Sequence, residues 1–477
     1  MTAYKSLAAF GVVGAAAFAH WRWSKKPIRT PEGTVHPPLA AAGLDGVPGI
    51  GLLARLHSLI TDPIGLIERN ARVHGDMFTL RAPMIYDITF LLDRDAYAMV
   101  MNLPADHAAI GPVLSRVPTV GYWFPRSRRD PESLQQLVVA GRRLMAEMLP
   151  QHKVRTLPNR ITGITTRHMS EWGPTTDMTE VLHLVVYEVV GRYFMGDTIW
   201  TAIGDELSRL YRTIADGVDV MRAALSITPL HQFMPEYRAT TQLFQLLRSE
   251  LSGFRSADSP LLGAIDRLRI DGEPLDEADI LWMFMYVLWN AMAYPGTYAY
   301  WSLVDVLTTP GVRNRVTELD DRAARQEVLG RCVLETIRLN PVSTLVRYLY
   351  KPLEFTRNGT IYHIPAGQAV GVFPRGLNRD QRYVPDAPES YDPDRFVRVP
   401  ALRTTSFGRG PFGCIAQDFS KIVLSSVLND VLTRFDIVLL DQPANRRCRV
   451  HQNYPDTPLT VRLMPRDLGS SAGFRPL

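Results

Sequence analysis

The stretch Ser406-Phe407-Gly408-Arg409-Gly410-Pro411-Phe412-Gly413-Cys414-Ile415-Ala416 places a cysteine at the end of a loop built from glycines, a proline and two phenylalanines. Directly after it, Gln417 to Phe435 (QDFSKIVLSSVLNDVLTRF) carries apolar residues at helical spacing. The spacing predicts Cys414 just ahead of a helix N-terminus. Unpaired amides and the helix dipole at such an end stabilise negative charge, which favours thiolate over thiol. A thiolate held there suits a nucleophile, a zinc ligand or a haem ligand.

Composition narrows the field. The 477 residues are 46% hydrophobic and 21% charged, the make-up of an ordinary globular protein with one large core or a few domains. Cys332, Cys414 and Cys448 include no CxxC pair, so they offer neither a disulfide framework nor a four-cysteine zinc site, and they suit a reducing compartment. The net charge of +5 is mild for this length. Without a Lys/Arg stripe interleaved with aromatics, no nucleic-acid partner is expected. No repeat of 20 to 50 residues is visible.

The amino terminus reads as a separate unit. Ser6 to Ala19 (SLAAFGVVGAAAFA) is uncharged and apolar, followed by Trp21 and Trp23 among Arg22, Lys25 and Lys26. The run alone falls short of the roughly 18 to 20 residues that cross a bilayer, but extended through Trp23 it reaches the lower limit, with the tryptophans at the interface and the cations on the cytoplasmic side. Residues 1–26 are therefore expected to be a membrane anchor. A cleaved signal peptide is the rival, since Lys5 precedes the run and Ala17-Phe18-Ala19 resembles a cleavage site; a peripheral leader is the third reading. Residues 27–51, rich in proline and glycine, read as a hinge, leaving 52–477 as the globular domain.

Within that domain, helical patterns cover Leu134 to Met148, Val154 to Trp172, Met178 to Phe194, Ile203 to Met221 and Pro235 to Arg255. Ile280 to Leu307 is apolar on nearly all sides and predicts a helix buried in the core. Asn290, Pro295, Thr297 and several tyrosines at its centre argue against a membrane span. Ala323 to Leu339 is a helix ended by Asn340-Pro341. In Leu353 to Ile364, Asn358-Gly359 between apolar runs signals a tight hairpin. Asn358-Gly359-Thr360 also fits a glycosylation sequon, but the turn accounts for it.

Glu335 and Arg338 share a helix face, and Arg395 follows in the turn-rich Tyr391-Asp392-Pro393-Asp394-Arg395-Phe396. One glutamate meeting two arginines can lock a helix to a loop. The order Glu-x-x-Arg, Pro-x-Arg-Phe, then Phe-x-x-Gly-x-x-x-Cys resembles the cytochrome P-450 superfamily, over roughly Leu39 to Pro465. The resemblance implies a mainly α fold with smaller β sheets (α+β), with haem b between the central helix and the cysteine loop. It makes Cys414 the proximal thiolate on the haem iron, Phe407 its packing neighbour, Gly408 and Gly410 the loop residues that turn and donate amides toward sulfur, and Glu335, Arg338 and Arg395 the structural triad. Thiolate ligation favours O–O cleavage. An oxidative member would take electrons from NADPH through a reductase, sit on a membrane, in eukaryotes at the endoplasmic reticulum, and act on an apolar small molecule of secondary, sterol or terpenoid metabolism.

The sequence also departs from the family pattern. Phe412 stands where a basic residue usually meets a haem propionate, and Ala416 where glycine is usual. Arg142 and Arg143 occur without the customary tryptophan. Arg142, Arg143, Arg347 and Arg409 are thus the candidate propionate partners, with surface arginine as the plain alternative for each. In the central helix, Ala293 and Tyr294 replace the acid and threonine that organise water, and Pro295 predicts a kink. Missing acid, Asn and Pro together resemble the group related to prostacyclin synthase and to bile-acid and sterol hydroxylases, some of which rearrange a peroxide without electrons. Two readings follow: a monooxygenase, and a redox-neutral isomerase or dehydratase. A non-catalytic haem or lipid binder is a third, disfavoured by the intact cysteine loop. Asn290, Ala293, Tyr294 and Thr297, with Pro104 to Asp130, Asp216 to Phe233 and Val342 to Leu349, are expected to line the substrate pocket.

Overall fold

In a computed structural model, the structure describes residues 26–40, 58, 62–81, 86–115, 130–217, 229–256, 259–341, 344–399, 402, 404–443, 455 and 457–466. The principal helices are α1 (Pro63–His74), α2 (Arg94–Met101), α3 (Pro131–Met148), α4 (Leu157–Ser170), α5 (Met178–Met195), α6 (Asp197–Asp216), α7 (Pro235–Ser256), α8 (Glu277–Met292), α9 (Pro295–Thr308), α10 (Arg322–Leu339) and α11 (Gln417–Arg434). Several begin at a side-chain cap that satisfies their first amides. Asp130 accepts from Ser133 N at 2.9 Å ahead of α3, and Asp276 from Asp279 N at 2.7 Å ahead of α8. Asp321 accepts from both Ala323 N and Ala324 N ahead of α10.

Strands β1 (Met77–Arg81), β2 (Asp87–Leu91), β3 (Ala108–Ala109), β4 (Thr175–Asp177), β5 (Leu345–Leu349), β6 (Leu353–Arg357), β7 (Thr360–Ile364), β8 (Ala369–Val372), β9 (Phe435–Leu439) and β10 (Thr460–Pro465) form small sheets. The largest has the order β1-β2-β8-β5-β3, antiparallel except where β8 runs parallel to β2 with Ala369 opposite Ile88. A second has the order β9-β10-β4. The hairpin β6-β7 closes on Asn358 and Gly359, at φ 49° and 76°. Both residues have positive φ, as a tight hairpin of matching twist requires, so the turn reading of that dipeptide holds. The mainly α architecture with smaller sheets is as expected.

The core is organised around α9, which packs on α5, α10 and α11, while α4 also packs on α11. Every residue from Ile280 to Leu307 is buried except exposed Asn290 and half-buried Tyr294, in keeping with a core segment rather than a membrane span. The expected single helix is nevertheless two. Ala293 (φ −59°, ψ −34°) ends α8, and Tyr294 (φ −112°, ψ −33°) leads into α9. Pro295, the first residue of α9, has no N–H to give the carbonyl one turn back, so the ladder stops there. The predicted kink is a full break two residues long. Among the described residues no helix is long and apolar enough to cross a membrane; the expected anchor, apart from Lys26, lies outside the described residues.

Candidate active site

The loop before α11 folds back on itself because two of its glycines take the left-handed conformation, Gly408 at φ 68° and Gly410 at φ 64°. At Gly410 a Cβ would stand 2.3 Å from the carbonyl oxygen of Met101 at the end of α2, so only glycine lets the loop pass. Cys414 N donates to Phe407 O at 2.6 Å and Gly413 N to Gly410 O at 3.1 Å. Gly408 N donates to Thr405 O at 3.2 Å, not to sulfur as expected; the amide hydrogen-bonded to the Cys414 sulfur is that of Ala416. The thiol is exposed, yet protein surrounds it closely enough that burial pushes it up, and this outweighs the Ala416 amide and the nearby Arg142. Such a group opens into a recess rather than onto a convex surface. The helix-end stabilisation of thiolate expected from sequence is present but is outweighed by burial while the group is a free thiol.

Of the four candidate arginines, Arg142 contacts the cysteine loop, Arg347 lies near Arg142, and Arg409 lies with Arg347 near Tyr97. Arg142 Nη2, from α3, donates to Gly413 O at 2.8 Å. Arg347 on β5 is 2% exposed; burial, then the proximity of Arg142, pushes it down to about 10. Arg409 and Arg347 both act electrostatically on Tyr97, whose hydroxyl donates to Thr405 O at 3.2 Å and which burial raises to about 12. Arg143 is exposed, on another side of α3 from Arg142. Among the described residues no three His, Cys, Asp or Glu side chains converge on a metal site, so Cys414 has no companions for zinc. A thiol with Arg142 beside it, and Arg347 near Arg142 in turn, does fit haem, which takes a thiolate ligand and carries two carboxylates.

Behind the loop, Glu335 and Arg338 are both fully buried, and Arg395 is 1% exposed. Arg338 forms a two-pronged pair with Glu335, Nε to Oε2 at 2.7 Å and Nη2 to Oε1 at 2.8 Å. Its Nη1 donates to Asn378 O and Pro388 O, and its Nη2 also donates to Ser390 O. Arg395 pairs with Glu335 Oε1 at 3.5 Å and donates to Asp386 O at 2.8 Å and Ala387 O at 3.1 Å. The arrangement pins residues 385–395 to α10. Sequence reading missed the next link. Buried Asn378 donates to Arg338 O (3.0 Å) and Ser406 Oγ (2.8 Å) while accepting from Thr405 N (2.9 Å), and Ser406 Oγ donates to Ile337 O (3.1 Å). This joins the lock to the first residue of the cysteine loop. No periodicity or charge pattern marks an asparagine for such a task.

On α8, Tyr286 packs over Gly141 of α3, and Asn290 follows one turn later with Nδ2 donating to Tyr286 O at 2.7 Å. Tyr294 is half-buried at the break and Ala293 is 1% exposed. Thr297 departs from the expected pocket lining. It is 2% exposed, with its hydroxyl 3.5 Å from Nε2 of buried His183 on α5. It therefore faces packed protein. Of the expected pocket segments, 116–129, 218–228 and 342–343 lie outside the described residues.

A family model for cytochrome P-450 matches residues 308–453. Obtusifoliol 14-alpha demethylase of Sorghum bicolor is 23% identical over 83% of this chain and 85% of its own length. Human lanosterol 14-alpha demethylase is 21% identical over 80% and 78%. Human 24-hydroxycholesterol 7-alpha-hydroxylase is 26% identical over 35% and 39%. A solved retinoic-acid-bound cyanobacterial CYP120A1 superposes with a TM-score of 0.71 at 17% identity, covering 86% of this chain and 96% of that one. These likenesses support an oxidoreductase of a kind that carries haem iron. Over residues 308–453 the chain is similar to the cytochrome P-450 family, and its fold is that of a solved member.

Proposed function

We propose that this chain is a monooxygenase that oxidises an apolar small molecule of sterol or terpenoid type, drawing electrons from NADPH through a reductase. The observation that carries the reading is the cysteine loop, anchored through Asn378 to a buried Glu335–Arg338–Arg395 lock and contacted by Arg142. Haem iron with a thiolate ligand, when bound, supplies dioxygen activation. In that role Cys414 is the ligand, Gly408 and Gly410 shape its loop, and Phe407 packs beside it. Arg142, Arg347 and Arg409 hold the propionates. Asn290, Ala293 and Tyr294 form the wall that faces substrate. With no acid and alcohol at 293 and 294, proton delivery falls to water or to a substrate hydroxyl. Residues 1–26 serve as the membrane anchor and 27–51 as the hinge, holding the domain on the cytoplasmic side, at the endoplasmic reticulum in a eukaryotic cell.

The relatives named above are demethylases and hydroxylases, which favours oxidation over the redox-neutral alternative. The test is turnover of sterol and terpenoid candidates with reductase, NADPH and heavy-isotope dioxygen. Expected is conversion that needs all three, with label in hydroxylated product. Full turnover in anaerobic buffer without reductant would overturn the proposal.

A further inference from the structure

Asn290 and Tyr286, four residues apart, project from one side of α8. Tyr286 lies so close to Gly141 that a Cβ there would stand 2.5 Å from its ring, and the adjacent Arg142 reaches Gly413 O. Asn290 therefore belongs to the side of α8 turned toward α3 and the cysteine loop. It is also the exposed residue in a segment otherwise buried but for half-buried Tyr294. An exposed amide at that place borders the recess in which a substrate would lie.

The setting of the amide follows from hydrogen-bond chemistry. Tyr286 O can only accept, so the atom 2.7 Å from it is Nδ2. Oδ1, on the other side of the planar amide, is then turned away from the Tyr286 carbonyl. Among the described residues it receives no hydrogen bond. A rigidly held acceptor in an apolar wall discriminates strongly, because a ligand without a donor leaves it desolvated and unpaired.

We propose that Asn290 is a specificity-determining residue that selects hydroxyl-bearing apolar molecules, its Oδ1 accepting a hydrogen bond from the ligand O–H. The inference deepens the monooxygenase reading and rests on it. The experiment uses the full-length haem-loaded protein, titrated with 1-adamantanol, 2-adamantanone and adamantane while the haem absorption shift is followed. These are compact cages that differ in donor capacity. Asn290→Leu and Asn290→Ala are compared with wild type; the side chain is exposed, so neither opens a core void. Expected is about a tenfold loss of 1-adamantanol affinity in both variants, with 2-adamantanone changed by less than about twofold and adamantane bound no more weakly. Unchanged alcohol affinity, an equal loss for the ketone, or no alcohol binding to wild type would overturn the inference. Each preparation is first checked for the thiolate-type carbon-monoxide band. Its absence in wild type would count against the haem-thiolate reading itself and so be told apart.

Discussion

At the scale of single residues, the informative side chains are those whose exposure contradicts their surroundings. Cys414 was legible in sequence because a glycine-rich loop ahead of a helix is a local pattern. The orientation of Asn290 was not, since a helix apolar on all sides has no periodicity from which to read a face. The partnership of Thr297 with His183 joins residues far apart in sequence and leaves no local trace. His183 yields a prediction of its own. Burial lowers its pKa from 6.5 to about 4, so on acidification the unfolded ring protonates first. Its contribution to stability is full above about pH 6.5 and is lost as pH falls toward 4, about 2 kcal/mol of it by pH 5. Thermal melts should show wild type losing more stability than His183→Phe between pH 7 and pH 5. Parallel slopes would contradict this account of the buried ring.

At the scale of elements, the lock between α10 and the 385–395 segment is tied through Asn378 and Ser406 to the cysteine loop. Glu335 balances only one of the two guanidinium charges it meets, and backbone carbonyls take up the remaining donors. Removing one partner of such a buried cluster costs about 3 to 5 kcal/mol. Glu335→Ala and Arg338→Ala should therefore each yield insoluble or haem-free protein, measured as soluble yield and haem per chain. Normal values for both would refute the lock. Glu335 and Arg338 could be paired from their spacing on one helix, whereas Asn378 could not, because its role depends on carbonyls and hydroxyls that only the folded chain assembles. The break between α8 and α9 was half legible. Pro295 announced a distortion, but whether a proline kinks or ends a helix depends on the packing around it.

At the scale of the whole molecule, α9, α10 and α11 pack together behind the thiol loop, while α3 brings Arg142 to it. Helix-rich order and the cysteine loop were readable because helical periodicity and glycine-proline punctuation are local signals. Sheet order was not, since β2 and β8 pair across most of the chain. One claim is central, that Cys414 ligates the iron of a bound haem. The direct measurement is the carbon-monoxide difference spectrum of the reduced full-length protein beside Cys414→Ala and Cys414→Ser. The wild type should give the thiolate-type band and both variants should lack it; a variant that keeps that band would show that another residue holds the iron and would contradict the account.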